Sequence, residues 1–155
     1  TFETEGYKVT PFGGLIKLFT GNSQKVKQSN RGWTPLLYAS SQGHFEMIKE
    51  LVNNKANVKI VDSYGANALM ITAAFSKTKE TKDIIQYFIK KGINVNSEAK
   101  NGSTALVGTI NNYNNEISIY LISKGASKEK ALIYAANAGS ANVIEQLIKY
   151  RVNIN

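Results

Sequence analysis

Residue types able to do covalent or acid–base chemistry are sparse: the 155 residues contain no Cys and a single His, His44. Without Cys there is no disulfide framework, thiolate zinc site, iron–sulfur cluster or thiol nucleophile, and one imidazole removes most His-based metal and base arrangements. His44 sits beside Gly43 with no second His or Cys to partner it, so it reads as bonding backbone groups at a helix start rather than as a base. The 11 acids are scattered. Glu46 and Glu50 are spaced i, i+4 beside Lys49 and read as a solvated helix face, because paired acid–base work needs a cleft that separates two environments. Gly13-Gly14 and Gly102-Ser103 match neither GxGxxG nor Gly-Lys-Ser/Thr and read as turns. Catalysis, a metal and a cofactor are not expected of these residues.

Charge narrows partners less than chemistry does. Lys and Arg number 19 against 11 acids, for a net charge of +8. Such a surface draws anionic partners without specificity. The basic clusters are Lys17, Lys25, Lys27 and Arg31 near the front, and Lys77, Lys79 and Lys82 further on. Only Arg31 and Arg151 are arginines, and no helical pattern interleaves basic residues with stacking aromatics. Solubility is the favoured reading, with nucleic-acid or anionic-membrane binding the alternative. No run approaches the roughly 20 apolar residues that cross a bilayer; Ile84–Ile89 is broken by Gln86 and followed by Lys90. The chain begins at Thr1 rather than Met, so the lack of a signal peptide does not assign a compartment. A cytoplasmic setting is favoured, a secreted effector is the alternative, and a monomer is the expected state.

The elements that must position any functional side chain emerge from spacing. Gly32-Trp33-Thr34-Pro35-Leu36 is followed 33 residues later by Gly65-Ala66-Asn67-Ala68-Leu69, and 37 residues after that by Gly102-Ser103-Thr104-Ala105-Leu106. A fourth copy keeps only Leu132. Small residues and then an apolar pair follow each leucine: Ala39 with Leu51-Val52, Ala73 with Phe88-Ile89, Thr109 with Leu121-Ile122, Ala135-Ala136 with Leu147-Ile148. Each unit closes in a turn at Lys55-Ala56, Gly92-Ile93, Gly125-Ala126 or Val152–Asn155. Leu36, Ala39 and Ser40 share one face of a short first helix, and Phe45, Ile48, Leu51 and Val52 stripe a second. Pro35 suits the first helical turn and Thr34 can cap it. Neither helix hides its stripe alone, so the units must stack around a shared core.

On these residues the chain resembles the ankyrin-repeat family over about Ser29 to Asn155, with a period close to that family's 33 residues. The best copy is Gly32–Ser40 with Gln42-Gly43-His44-Phe45-Glu46-Met47-Ile48, although the family's His after Leu is here Leu37. Other copies replace Thr-Pro by Asn67-Ala68, Thr104-Ala105 and Lys130-Ala131. The His position becomes Met70, Val107 and Ile133, which trades a polar brace for apolar packing. The four-residue surplus in the second unit places a lengthened charged loop near Ser76–Thr81. From Leu106 to Leu132 is 26 residues, seven short of the period, so the projecting hairpin between units three and four is lost to a direct helical link at Ser127–Lys130. Gly14–Lys27 reads as part of a further unit, either an abridged cap or one lacking residues near Gln28-Ser29. Thr1–Pro11 is a patternless arm. The chain stops after Asn155 where a hairpin should begin, so it ends there or continues in a longer array.

The expected fold is therefore an all-α solenoid. Residues 1–28 form an arm and partial repeat, and residues 29–155 form one continuous domain of four repeats, about 29–61, 62–98, 99–127 and 128–155. The resemblance implies a concave face of hairpin tips and first helices that contacts another protein without catalysis, alone or as the targeting module of a larger enzyme or effector. Its candidate binding residues are Arg31, Trp33, Tyr38 and Gln42; Tyr64, Ile71 and Phe75; Asn101, Asn111 and Asn112; and Tyr134 and Asn137. The aromatics weigh most, because large amphipathic rings and Arg dominate interface energetics. Phe75 has the alternative of packing beneath the inserted loop.

Overall fold

A computed structural model of the chain describes residues 31–151 and, ahead of them, the backbone of three short strands. These are β1 (Glu3–Thr4), β2 (Tyr7–Val9) and β3 (Leu15–Lys17), an antiparallel meander in which Lys8 opposes Ile16. Leu15–Lys17, within the stretch read as part of a further unit, is strand. The remainder of Gly14–Lys27 and the closing turn at Val152–Asn155 lie outside the described residues, as do Asn30 and the side chains of Lys17, Lys25 and Lys27.

From residue 31 onward the regular elements are eight helices. They are α1 (Pro35–Gln42), α2 (Phe45–Asn53), α3 (Ala68–Phe75), α4 (Thr81–Lys90), α5 (Ala105–Asn111), α6 (Asn115–Ser123), α7 (Lys128–Ala138) and α8 (Ala141–Lys149). The first helix of each unit starts at a polar cap. Thr34, Asn67 and Thr104 accept side-chain bonds from the backbone N–H groups of Leu37, Met70 and Val107, which satisfies donors that a helix start leaves orphaned. Pro35 stands in the first turn of α1, as its spacing predicts. The fourth unit differs. Its cap is Ser127, which accepts from Lys130 N–H at 3.1 Å, so α7 begins one turn earlier and Lys130-Ala131 lies inside the helix. The projecting hairpin is absent there, and the Asn96 amide replaces it by accepting from Ser127 N–H at 2.7 Å and donating to the Gly125 carbonyl at 2.8 Å.

The turns also repeat. After α1, α5 and α7 the chain passes through a left-handed residue, Gly43, Tyr113 or Gly139, and the next N–H reaches back five residues to the carbonyl of Ala39, Thr109 or Ala135. His44 is the residue after the first of these turns. It occupies the cap place of α2, but its exposed side chain makes no capping bond, contrary to the backbone-bonding role its position suggests. In the second unit the tight turn is replaced by the longer loop expected at Ser76–Thr81. There the Ser76 and Thr81 hydroxyls bond each other at 2.6 Å and Thr81 Oγ1 donates to the Thr78 carbonyl at 2.8 Å.

Packing follows the stack. Helix α3 lies between α1 and α5, and α5 in turn meets α7 and α8. Every residue from Ala68 to Ala73 is buried, which a helix sandwiched on both sides requires. Close approach needs small residues: a Cβ on Gly108 of α5 would meet Ala74 N at 3.1 Å and Ala73 C at 3.3 Å, both backbone atoms of α3. Leu37, Met70 and Val107 are buried, so apolar packing has taken over the family's His position in three units. Ile133, the fourth, is 67% exposed and packs as none of the others does. Among the described residues, every buried side-chain N or O atom has a hydrogen-bond partner.

Two predictions follow from the turns and caps. Gly43 and Gly139 share a left-handed backbone, at φ 72° and 65°, but a Cβ on Gly43 would meet Ser76 Oγ and Thr78 Oγ1 at 2.6 Å while one on Gly139 meets nothing within 4 Å. Gly139→Ala should therefore cost about 1 kcal/mol of backbone strain alone, and Gly43→Ala about 2–3 kcal/mol, in urea unfolding; equal costs would show that the inserted loop does not press on this turn. In the first turn of α7, the Glu129 carboxylate is held below the usual carboxylate range by its own backbone N–H and then by the Ser127 hydroxyl, 3.1 Å away. Its folded pKa is depressed, so its contribution to stability is present above the ordinary glutamate value of about 4.3 and is lost as pH falls through the depressed one. Carbon-detected NMR titration should find its midpoint low and find it raised by Ser127→Ala.

Candidate functional site

The hairpin tips are joined unit to unit by the same backbone bond. Ser63 N–H donates to the Arg31 carbonyl at 2.8 Å, and one repeat on, Lys100 N–H donates to the Tyr64 carbonyl at 2.9 Å. In both cases the acceptor precedes a tip glycine and the donor stands two before the next. This registers the tips, so residues a full period apart become neighbours. Tyr64 follows Asp62-Ser63 in a turn organised by Asp62, whose Oδ1 accepts from the N–H groups of Tyr64 and Ala66, each at 2.9 Å.

Asp62 also reaches the preceding unit. Its Oδ2 accepts from Trp33 Nε1 at 3.0 Å, and Asp62 is buried. A charged acceptor strengthens that bond and holds the half-buried indole in one orientation. The Trp33 ring makes edge contacts with Tyr38 at 5.2 Å and Phe75 at 5.7 Å between centroids. The Arg31 guanidinium lies 5.7 Å from the Trp33 ring, 5.5 Å from Tyr64 and 5.8 Å from Phe75, within cation–π range of all three. Tyr38, Tyr64 and Phe75 remain 39%, 57% and 46% exposed. Beside this cluster, Trp33, Ser41, Gln42, Phe75, Lys77 and Thr78 line a pocket of about 390 Å³.

Six of the expected residues therefore converge: Arg31, Trp33, Tyr38, Gln42, Tyr64 and Phe75. Phe75 is a wall of the pocket with the loop beside it, not a residue covered by that loop. Ile71 does not belong to the surface. It is 1% exposed, because the sandwiching of α3 buries the face that points outward in an isolated helix. Asn112 is likewise engaged inside the protein, its amide donating to the carbonyls of Ala73 and Ala74 at the end of α3. Tyr134 is half-buried against the core. Asn101, Asn111 and Asn137 are exposed.

Two contributions are new. Asp62 was signalled only by an Asp three residues before a turn glycine, a pattern that says nothing of a tryptophan 29 positions away. Lys77 and Thr78, read as parts of a solvated insertion, border the aromatic pocket because the loop folds back over Gly43.

Trp33 is the chain's one tryptophan, so its emission reports on this site. Asp62→Ala should red-shift that emission, increase its quenching by acrylamide and lower stability by about 2 kcal/mol through the lost charged acceptor. Unchanged emission would mean that the ring contacts alone orient the indole.

A family model described as ankyrin repeats in three copies matches residues 10–99 and again 72–155. The chain is 33% identical over 111 residues, 63% of its length, to ankyrin repeat and SAM domain-containing protein 6 of Mus musculus. It is 30% identical over 106 residues, 64% of its length, to an ankyrin repeat protein of Acanthamoeba polyphaga mimivirus. A Dictyostelium discoideum protein named as a serine/threonine-protein kinase is 27% identical over 110 residues, 70% of the chain. The matches span only 12%, 25% and 13% of those three relatives, respectively. With the paired helices, registered tips and matched residues in agreement, the chain belongs to the ankyrin-repeat family.

Proposed function

We propose that this chain is a non-catalytic module that binds another protein through the face built by Arg31, Trp33, Tyr38, Tyr64 and Phe75. Ankyrin repeats generally mediate protein–protein interaction, which sets the class of function. The observation that carries the specific surface is the Asp62–Trp33 bond. It holds a tryptophan at the centre of exposed rings and an arginine before any partner arrives.

Preorganisation is the mechanism. Side chains already fixed by mutual contact lose little entropy on docking, and Tyr, Trp and Arg are the types that anchor interfaces. Asn101, Asn111, Asn137 and the half-buried Tyr134 would extend the footprint along the stack as peripheral contacts. The units at about 29–61, 62–98, 99–127 and 128–155 would act as one rigid support. The kinase name of one relative applies to that whole protein, of which this chain matches 13%. It is compatible with repeats serving as a targeting module beside other domains.

The test is affinity capture from a native extract at low and high salt, with the wild-type chain and a Tyr64→Ala/Phe75→Ala double variant as baits. These two side chains are exposed, so circular dichroism of the variant should match the wild type. A protein held at both salts should bind the purified variant roughly 30-fold more weakly, as loss of about 2 kcal/mol at a hot spot predicts. Capture that vanishes with salt and ignores the substitutions would sink this reading and favour the basic residues Lys77, Lys79 and Lys82.

A further inference from the structure

Charge on this molecule is unevenly matched. The described ion pairs Lys49–Glu46, Lys82–Glu116 and Lys149–Glu145 lie on the second helices, and Lys130–Glu98 ties α7 to the segment between α4 and α5. On the tip and first-helix face the pattern reverses. Among the described residues, Arg31, Lys77 and Lys100 have no carboxylate within ion-pair distance. Asp62, the acid of the tip turn, is buried, with one oxygen taken by Trp33 Nε1 and the other by two turn N–H groups. Lys100 Nζ donates to the Ser63 carbonyl at 2.8 Å, which holds its charge beside Tyr64. Lys77 lines the pocket and Arg31 lies over its two rings, Trp33 and Phe75, so the site offers a recess of two aromatic rings and polar groups with positive charge beside it.

Resting on the protein-binding reading above, we propose that the partner docks through an acidic peptide segment. One large apolar side chain of that segment enters the pocket that Trp33 and Phe75 line together, and flanking Asp or Glu carboxylates pair with Arg31 and Lys77. The 390 Å³ recess is of a size for one bulky side chain and its immediate backbone. Ser41, Gln42 and Thr78 supply hydrogen-bonding groups on its wall. An unpaired guanidinium already ordered over three rings gains a charge-assisted bond at little further entropic cost. A single nucleic-acid strand fits less well. Base stacking needs open ring faces in sequence, whereas here the Trp33 ring is engaged by Tyr38, Phe75 and Arg31.

The experiment pans a random dodecapeptide phage library on the whole chain. Enriched peptides are then titrated by fluorescence anisotropy against the wild type and Arg31→Gln, Lys77→Glu, Tyr64→Ala and Phe75→Ala variants, with labelled oligothymidylate as a parallel probe. Enriched sequences should place Asp or Glu within two residues of Leu, Phe or Trp. Arg31→Gln and Lys77→Glu should each weaken them about tenfold, and peptides with the acids changed to Lys should prefer Lys77→Glu over the wild type. Binding that requires Tyr64 and Phe75 but shows no acidic preference would overturn the acidic partner and leave the protein-binding face standing. Peptide binding indifferent to every one of these substitutions, or no enrichment at all, would remove both. Oligothymidylate binding as tight as the peptides and lost with Arg31→Gln would replace the peptide with nucleic acid.

Discussion

The close stacking of α3 between α1 and α5 is the constraint on which the rest of the molecule depends. A short helix with apolar residues on nearly all sides has no stable existence in water, and burying Ala68 to Ala73 demands a neighbour on each side. Ordinary core side chains would hold those neighbours apart. Ala73 and Ala74 facing Gly108 allow contact between backbones instead, and the Asn112 amide then bonds the carbonyls at the end of α3. Apolar burial brings the helices together, and this polar clasp fixes how they meet.

Once that spacing is set, the hairpin tips have little freedom. They sit one repeat apart, at the separation where a peptide N–H in one tip meets a carbonyl in the previous one, and the same bond forms twice. The cluster of rings and cation is a consequence of this registration. Arg31 belongs to one tip, and Tyr64 and Phe75 to the next unit, yet the Arg31 guanidinium lies over both of those rings as well as Trp33. Asp62 serves both purposes, organising its own turn and holding the preceding unit's indole.

The departures from regularity are where the surface acquires character. Extra residues after α3 replace a tight turn with a loop whose hydroxyls are satisfied internally, and this loop closes one side of the aromatic recess. The shortened connection before α7 removes a tip altogether. Asn96 takes over there with two bonds of its own, so the stack continues without the projecting hairpin that would have lengthened the face. Insertion and deletion thus leave the aromatic cluster and its recess on the first two described units.

The period, the paired helices, the capping residues Thr34, Asn67 and Thr104, the inserted loop and the lost hairpin were all legible in the sequence, since each depends on local chemistry and spacing along the chain. Residue type and place in the repeat also singled out Trp33, Tyr64 and Phe75, which the structure brings into one cluster. Packing across units decided the rest. Ile71 and Ile133 look alike as apolar residues on first helices, but one is enclosed between two neighbours and the other is 67% exposed. Asn111 and Asn112 are adjacent and chemically identical, yet only the second spends its amide on the carbonyls of α3. Asp62 finds Trp33 because stacking closes a gap of 29 residues. A linear pattern encodes which residues share a helix face; which face is covered, and by what, is set only when the neighbouring unit arrives.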